Sequence, residues 1–251
     1  MTTRHESRLR SRRRVSIIGV FGELLITAGV FVFLFLGWQL WLNDIVVGHE
    51  QQSQALAFSD ELSGASAPHT VPPADPTVPA EPVVGVAPAE TTQFANVYIP
   101  RFGADYVRTI AEGVSASNVL KTGVGHYPGT QMPGEIGNFA VAAHRTTYGA
   151  PFNLIGTLQA GDRIIVQTAD GWYTYVFRSL EYVRPTGVGV LDPVPQQSAD
   201  VTPTARVMTM TSCNPMLSAA ERIVAYSVLE SWQPASAGPP GEIAALVNGT
   251  V

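Results

Sequence analysis

Hydrophobic positions along this chain change their period twice. From Val15 to Leu42 they are almost continuous, and no charge interrupts Leu24 to Leu36. That stretch exceeds the ~20 residues needed to cross a bilayer as a helix, which predicts one transmembrane helix over 15–42. A cleavable signal peptide would carry a shorter apolar core followed by a small-residue cleavage site. Here Trp38 and Trp41 close the segment instead, as an interfacial aromatic belt does. Glu23 is the one acid inside it, and its place about a third of the way in reads as a tolerated carboxylate near the interface.

The apolar signal then fades. Asn43 to Leu62 is polar with a short helical pattern, and Ser63 to Thr92 holds seven prolines spaced by Ala, Val, Thr and Glu. Such a stretch buries no core and favours an extended chain at ~3 Å per residue, so residues 43–92 are expected to be a spacer.

After Asn96 the period becomes that of strands. Val97–Pro100, Asn138–Ala143, Asp162–Thr168, Trp172–Tyr182, Ala205–Ser212 and Arg222–Leu229 each read as β. Asp170-Gly171 between two β-rich runs is a hairpin turn. Helical signal is thin, at residues 117–122 and 151–158. Short strands punctuated by Gly and Pro predict an antiparallel sandwich or barrel, with its domain at 93–233. The tail at 234–251 is rich in Gly, Pro and Ala up to a short apolar run, Ile243 to Val247.

Charge sharpens the membrane reading. Six arginines lie among residues 1–14, whereas the whole chain carries −5 and a single lysine, Lys121. The positive-inside rule places residues 1–14 in the cytoplasm and everything after Asn43 outside. An acidic outer domain has no electrostatic footprint for nucleic acid. One cysteine excludes an intramolecular disulfide and leaves a free thiol in an exported domain.

That thiol directs attention to three strand ends. Cys213 follows the apolar run RVMTMTS, His144 follows NFAVAA, and Arg222 opens the next strand. A thiolate is a strong nucleophile, and histidine can accept the thiol proton or pair with the thiolate. Arginine stays cationic and can donate to an oxyanion. The three types together suffice for acyl transfer, although a packed thiol, a structural histidine and a solvated arginine remain the bland alternatives. No cluster has metal-ligand spacing, and the acids are too scattered to imply a calcium site.

At these residues the chain resembles the sortases. Thr209-Met210-Thr211-Ser212-Cys213 looks like the family's T-L-x-T-C motif, with Met210 for Leu and Ser212 for the second Thr. Arg222 lies at the family's arginine spacing, Gly137 to Arg145 looks like its histidine strand with Ala143 for a usual Gly, and Thr186 to Leu191 resembles the loop before the cysteine strand. The resemblance implies a mostly β fold, a closed eight-stranded barrel with short helices behind one transmembrane helix. It implies a cysteine transpeptidase without cofactor. Cys213 would attack the Thr–Gly bond of a C-terminal sorting signal, His144 would be acid/base, and Arg222 would hold the oxyanion or substrate. The partners would be sorting-signal-bearing surface proteins and an amine acceptor such as a peptidoglycan precursor.

Gly125 to Thr130 and His144 to Phe152 look like class E sortases. In that class a tyrosine near this position goes with Leu-Ala-x-Thr-Gly signals, which makes Tyr127 a candidate substrate-binding residue. Thr211 and Ser212 are candidates beside it. His126 reads as structural or as a cleft neighbour. Two other readings stay open: an L,D-transpeptidase, whose S-H-G-C-x-R pattern is absent, and a membrane-tethered scaffold in which Cys213 merely packs.

Overall fold

The hairpin signal at Asp170-Gly171 opens the longest ladder in the molecule. In the computed structural model, which describes residues 16–38, 42–64, 81–198 and 200–250, β6 (Gly171–Val183) pairs antiparallel with β5 (Arg163–Gln167) on one side and β8 (Glu221–Pro234) on the other. The remaining strands are β1 (Gln93–Tyr98), β2 (Val107–Glu112), β3 (Val124–His126), β4 (Gly137–Ala142) and β7 (Arg206–Asn214). They close in the order β1-β2-β3-β4-β7-β8-β6-β5, because β1 pairs with both β2 and β5. The eight-stranded barrel expected from the resemblance is therefore the fold.

Alternate residues point into the barrel. Val97, Phe139, Val141, Ile164, Val166, Tyr173, Tyr175, Met208 and Met210 share one buried core. Their outward neighbours are covered as well, in a second cluster of Ala55, Tyr98, Val107, Ile165, Trp172, Ile243 and Leu246. That cover comes from α2 (Asn43–Gly64) and α3 (Ala244–Val247). Strands buried on both faces lose the polar-out alternation that marks a half-exposed sheet.

Part of the expected spacer thus belongs to the folded unit. Residues 43–64 form a 22-residue helix whose stripe Gly48, Gln51, Ala55, Ser59 and Leu62 is buried. Ser59 Oγ donates to Gln167 Oε1 (2.8 Å), Tyr98 Oη donates to the same oxygen (2.7 Å), and Asn96 Nδ2 donates to the Ala55 carbonyl (2.7 Å). The proline-rich residues 65–80 and the basic residues 1–15 lie outside the described residues. The apolar run of the tail packs too, with Ile243 and Leu246 buried.

The other compact unit, residues 1–42, contributes α1 (Ile17–Gly37), capped by Ser16 Oγ accepting from the Gly19 amide. Its 21 residues make it long and apolar enough to cross a membrane, about 31 Å at helical rise. Residues 117–122 form turns, not the expected helix, and within 151–158 a 3-10 helix runs Asn153–Thr157.

Candidate functional site

Strand register builds the site. β4 and β7 run parallel, with Ala142 opposite Thr211 as the last ladder pair, so both strands end on the same rim. The Ala143 amide still donates to the Thr211 carbonyl (3.2 Å), and Ser212 Oγ donates to the Ala143 carbonyl (2.8 Å). One residue further along each strand stand His144 and Cys213. β8 then returns antiparallel, placing Arg222 directly opposite Cys213. The three residues proposed from sequence therefore lie at the ends of three adjacent strands, His144 just past β4 and Cys213 and Arg222 within β7 and β8. Thr186 to Leu191 lies between β6 and β7 and contains a 3-10 helix, Val188–Leu191.

Cys213 is half-buried and unpaired. His144 is half-buried, and its Nε2 is enclosed without a hydrogen-bond partner. Burial pushes the His144 pKa below the ordinary histidine value, and the Asp44 carboxylate partly offsets that by favouring the imidazolium. A neutral imidazole with a free nitrogen is a competent proton acceptor. The ring packs against Tyr148 at a centroid distance of 5.0 Å.

Arg222 Nη1 donates to the carbonyls of Ala219 (3.1 Å) and Glu221 (2.9 Å), folded onto its own loop. A second guanidinium reaches the cysteine. Arg145 Nη1 donates to the Cys213 carbonyl (3.3 Å) and to Asn214 Oδ1, tying the end of β7 to the histidine turn. In sequence Arg145 appears only within the segments that resemble family motifs around His144, with no role of its own, because no spacing rule joins it to Asn214, 69 residues away.

Tyr127 and Thr211 come together across the rim, with Tyr127 Oη 2.9 Å from Thr211 Oγ1. Thr211 Oγ1 donates to the Val141 carbonyl (3.4 Å), which leaves the tyrosine as donor to the threonine and its own oxygen with a spare acceptor site. Thr211 and Ser212 are each 3% exposed, their hydroxyls turned toward β4. His126 is wholly buried and held on both nitrogens: Nδ1 meets Glu112 Oε2 at 2.6 Å, and Nε2 donates to the Gln131 carbonyl at 3.1 Å. It is a structural residue beneath Tyr127. Among the described residues no group of three or more His, Cys, Asp or Glu is placed to hold a metal ion.

Known proteins resemble this chain in sequence and fold. The family profile described as a sortase domain matches residues 97–230. The chain is 36% identical over 252 residues to Sortase SrtE1 of Streptomyces coelicolor, a match covering 95% of this chain and 66% of that protein, so it spans just under two thirds of that relative's length. A structure of Sortase E1 from Streptomyces coelicolor with a tripeptide in the active site is 38% identical, with a TM-score of 0.56 over 61% of this chain and 97% of that one. The SrtA sortase from Actinomyces oris is 35% identical, with a TM-score of 0.60 over 64% of this chain and 93% of that one.

Proposed function

Since the chain belongs to the sortase family of cysteine transpeptidases, we propose that it cleaves a C-terminal sorting signal between Thr and Gly and transfers the acyl fragment to an amine, attaching surface proteins to the cell wall. The observation that carries this reading is the cross-strand pair Cys213–Arg222 beside the end of the histidine strand.

His144 takes the thiol proton as Cys213 Sγ forms a bond to the Thr carbonyl carbon. The carbonyl oxygen becomes an oxyanion, which a guanidinium can stabilise. Arg222 supplies it by exchanging the Ala219 and Glu221 carbonyls for the substrate oxygen. Collapse breaks the C–N bond to Gly, and the imidazolium returns its proton to the departing amine. The resulting thioester is attacked by the acceptor amine, which forms the new amide, gives up a proton to His144 and releases Cys213.

Tyr127 supports a Leu-Ala-x-Thr-Gly signal. Its spare lone pair suits a backbone N–H that alanine carries and proline lacks. The apolar α1 and the arginines before it support a single-pass anchor with the N-terminus cytoplasmic and the barrel outside.

The test is turnover of paired Leu-Ala-x-Thr-Gly and Leu-Pro-x-Thr-Gly peptides with and without an amine acceptor. Cleavage lost in Cys213→Ala, with an amine-dependent second product, supports the reading. An enzyme that turns over neither peptide would refute it.

A further inference from the structure

We propose that α2 is a positioning element of the catalytic site: through Gln51 and Asp44 it holds the turn after His144 and thereby sets the imidazole's orientation. This rests on the reading of His144 as the acid/base.

The two halves of the helix do different work. Ala55, Ser59 and Leu62 cover the outer face of the barrel, bonding to Asn96, Tyr98 and Gln167 far from the rim. Asp44, Gly48 and Gln51 continue the same stripe toward the rim and meet the turn at 147–150. Gln51, 4% exposed, donates from Nε2 to the Tyr148 carbonyl (2.9 Å) and to the Lys121 carbonyl (3.1 Å). Asp44 Oδ1 accepts from the Gly149 amide at 3.3 Å. The approach is close enough to require glycine: Gly149 has φ +74°, and a Cβ there would lie 2.8 Å from Gln51 Oε1 and 3.0 Å from the Gly48 nitrogen.

The turn needs such a hold. Tyr148 (φ 53°) and Ala150 (φ 43°) both lie in the left-handed region without being glycine, a conformation that persists only where surroundings impose it. Tyr148 in turn packs on the His144 ring, while Lys121 Nζ lies 5.4 Å from the Tyr148 ring centre on the strand connection that Gln51 also grips. The chain of contact runs Gln51, Tyr148 backbone, Tyr148 ring, His144 ring. A helix that served only as a cover would not need its rim-side half.

Asp44 from α2 and Tyr148 from the turn itself act on the imidazole directly; the other charged and titratable groups on the elements packed here are Arg145 on the turn, Lys121 behind Tyr148, and Cys213 and Arg222 on β7 and β8. Of these, Asp44 favours the imidazolium.

The experiment uses the full chain in detergent micelles and compares Gln51→Ala with Ser59→Ala, which loosens the same helix at its far end. Steady-state kinetics on the sorting peptide are read beside NMR titration of histidine-labelled protein. Gln51→Ala is expected to lower kcat about tenfold with KM within about twofold, since small misplacements of a reacting group are costly. It is also expected to move the His144 resonances. Ser59→Ala should lower Tm while kcat and the His144 resonances stay at wild-type values. Wild-type kcat and wild-type His144 resonances in Gln51→Ala would overturn the proposal, as would equal effects of the two variants on both readouts. If Gln51→Ala does not fold, Gln51→Met keeps the bulk and removes the donor, with the same outcomes expected. Wild-type protein that cleaves no peptide defeats the transpeptidase reading; the His144 resonances then decide positioning alone, moved in Gln51→Ala only if α2 sets the ring.

Discussion

Two histidines stand at neighbouring strands, one within β3 and one just past the end of β4, and the molecule treats them in opposite ways. His126, on β3, is fully buried with Glu112 on one nitrogen and the Gln131 carbonyl and Thr130 hydroxyl on the other. His144, two residues past the end of β4, is half-buried with an enclosed Nε2 that bonds to nothing. A histidine whose donors and acceptors are all engaged can move a proton only by breaking its own support. One left with a free nitrogen, at the rim where the cysteine strand also ends, is available for transfer. The contrast teaches that saturation of hydrogen bonds separates the structural from the functional imidazole better than proximity to a cleft does.

The strongest way to break this contrast is to remove each ring in turn. His144→Ala is expected to lower kcat/KM by about 10³-fold or more, as loss of a general base beside its nucleophile does, while leaving Tm within a few degrees. Cys213→Ala should abolish turnover and leave the fold intact. Peptide kinetics and thermal melts on the same preparations check both. Glu112→Gln should behave conversely. Weakening the acceptor of a buried hydrogen bond costs about 1–3 kcal/mol, so urea midpoints should fall while the protein that remains folded still cleaves peptide. Inactivity of folded Glu112→Gln, or a His144→Ala enzyme that still works, would erase the distinction.

Sequence carried much of this and hid the rest for identifiable reasons. Six of the eight strands show as apolar β runs, and Cys213, His144 and Arg222 were legible because each stands where an apolar run begins or ends. β2 was hidden by its composition: Arg108 and Glu112 are 8% and 6% exposed, so charged letters occupy a strand buried on both faces. Their burial is compensated in part, Glu112 by His126 and Arg108 by the Val107 carbonyl and the Tyr106 ring while its Nε has no partner, and none of those pairings has a sequence period. β3 is only three residues long, too short to show alternation. The docking of α2 was invisible because its buried stripe is Gly48, Gln51, Ala55, Ser59 and Leu62, in which Leu62 is the one large apolar residue and the wide apolar face of an amphipathic helix is missing.

Tyr127 connects the two histidine regions, since it follows His126 in sequence and reaches over to Thr211 on the cysteine strand. Tyr127→Phe removes the acceptor oxygen and keeps the ring on its support. The expected result is a loss of about 5- to 10-fold in kcat/KM for the Leu-Ala-x-Thr-Gly peptide and less than twofold for the Leu-Pro-x-Thr-Gly peptide, about the worth of one hydrogen bond. Melting should change little. Equal losses on both peptides would sharpen the comparison differently, by making Tyr127 a support for Thr211 and not a reader of the substrate backbone.

The smallest effect is a pH dependence of stability that belongs to His144. Its pKa is lowered in the folded protein, chiefly by burial, so between its folded and unfolded values the unfolded chain binds more protons. Stability from this residue is therefore present above the unfolded value of about 6.5 and is lost as pH falls through it toward the folded value. Urea midpoints measured from pH 7.5 to 5 should decline in the wild-type protein. The decline should be shallower in His144→Gln, which keeps a polar side chain of similar reach but cannot take up the proton. Asp44→Asn should act the other way, removing the charge that favours the imidazolium and deepening the lowering of the His144 pKa, so that more stability is lost on acidification. Identical slopes in all three proteins would mean that the His144 ring is as well solvated when folded as when unfolded, and the enclosed, unpartnered nitrogen would lose its meaning as the mark of the working histidine.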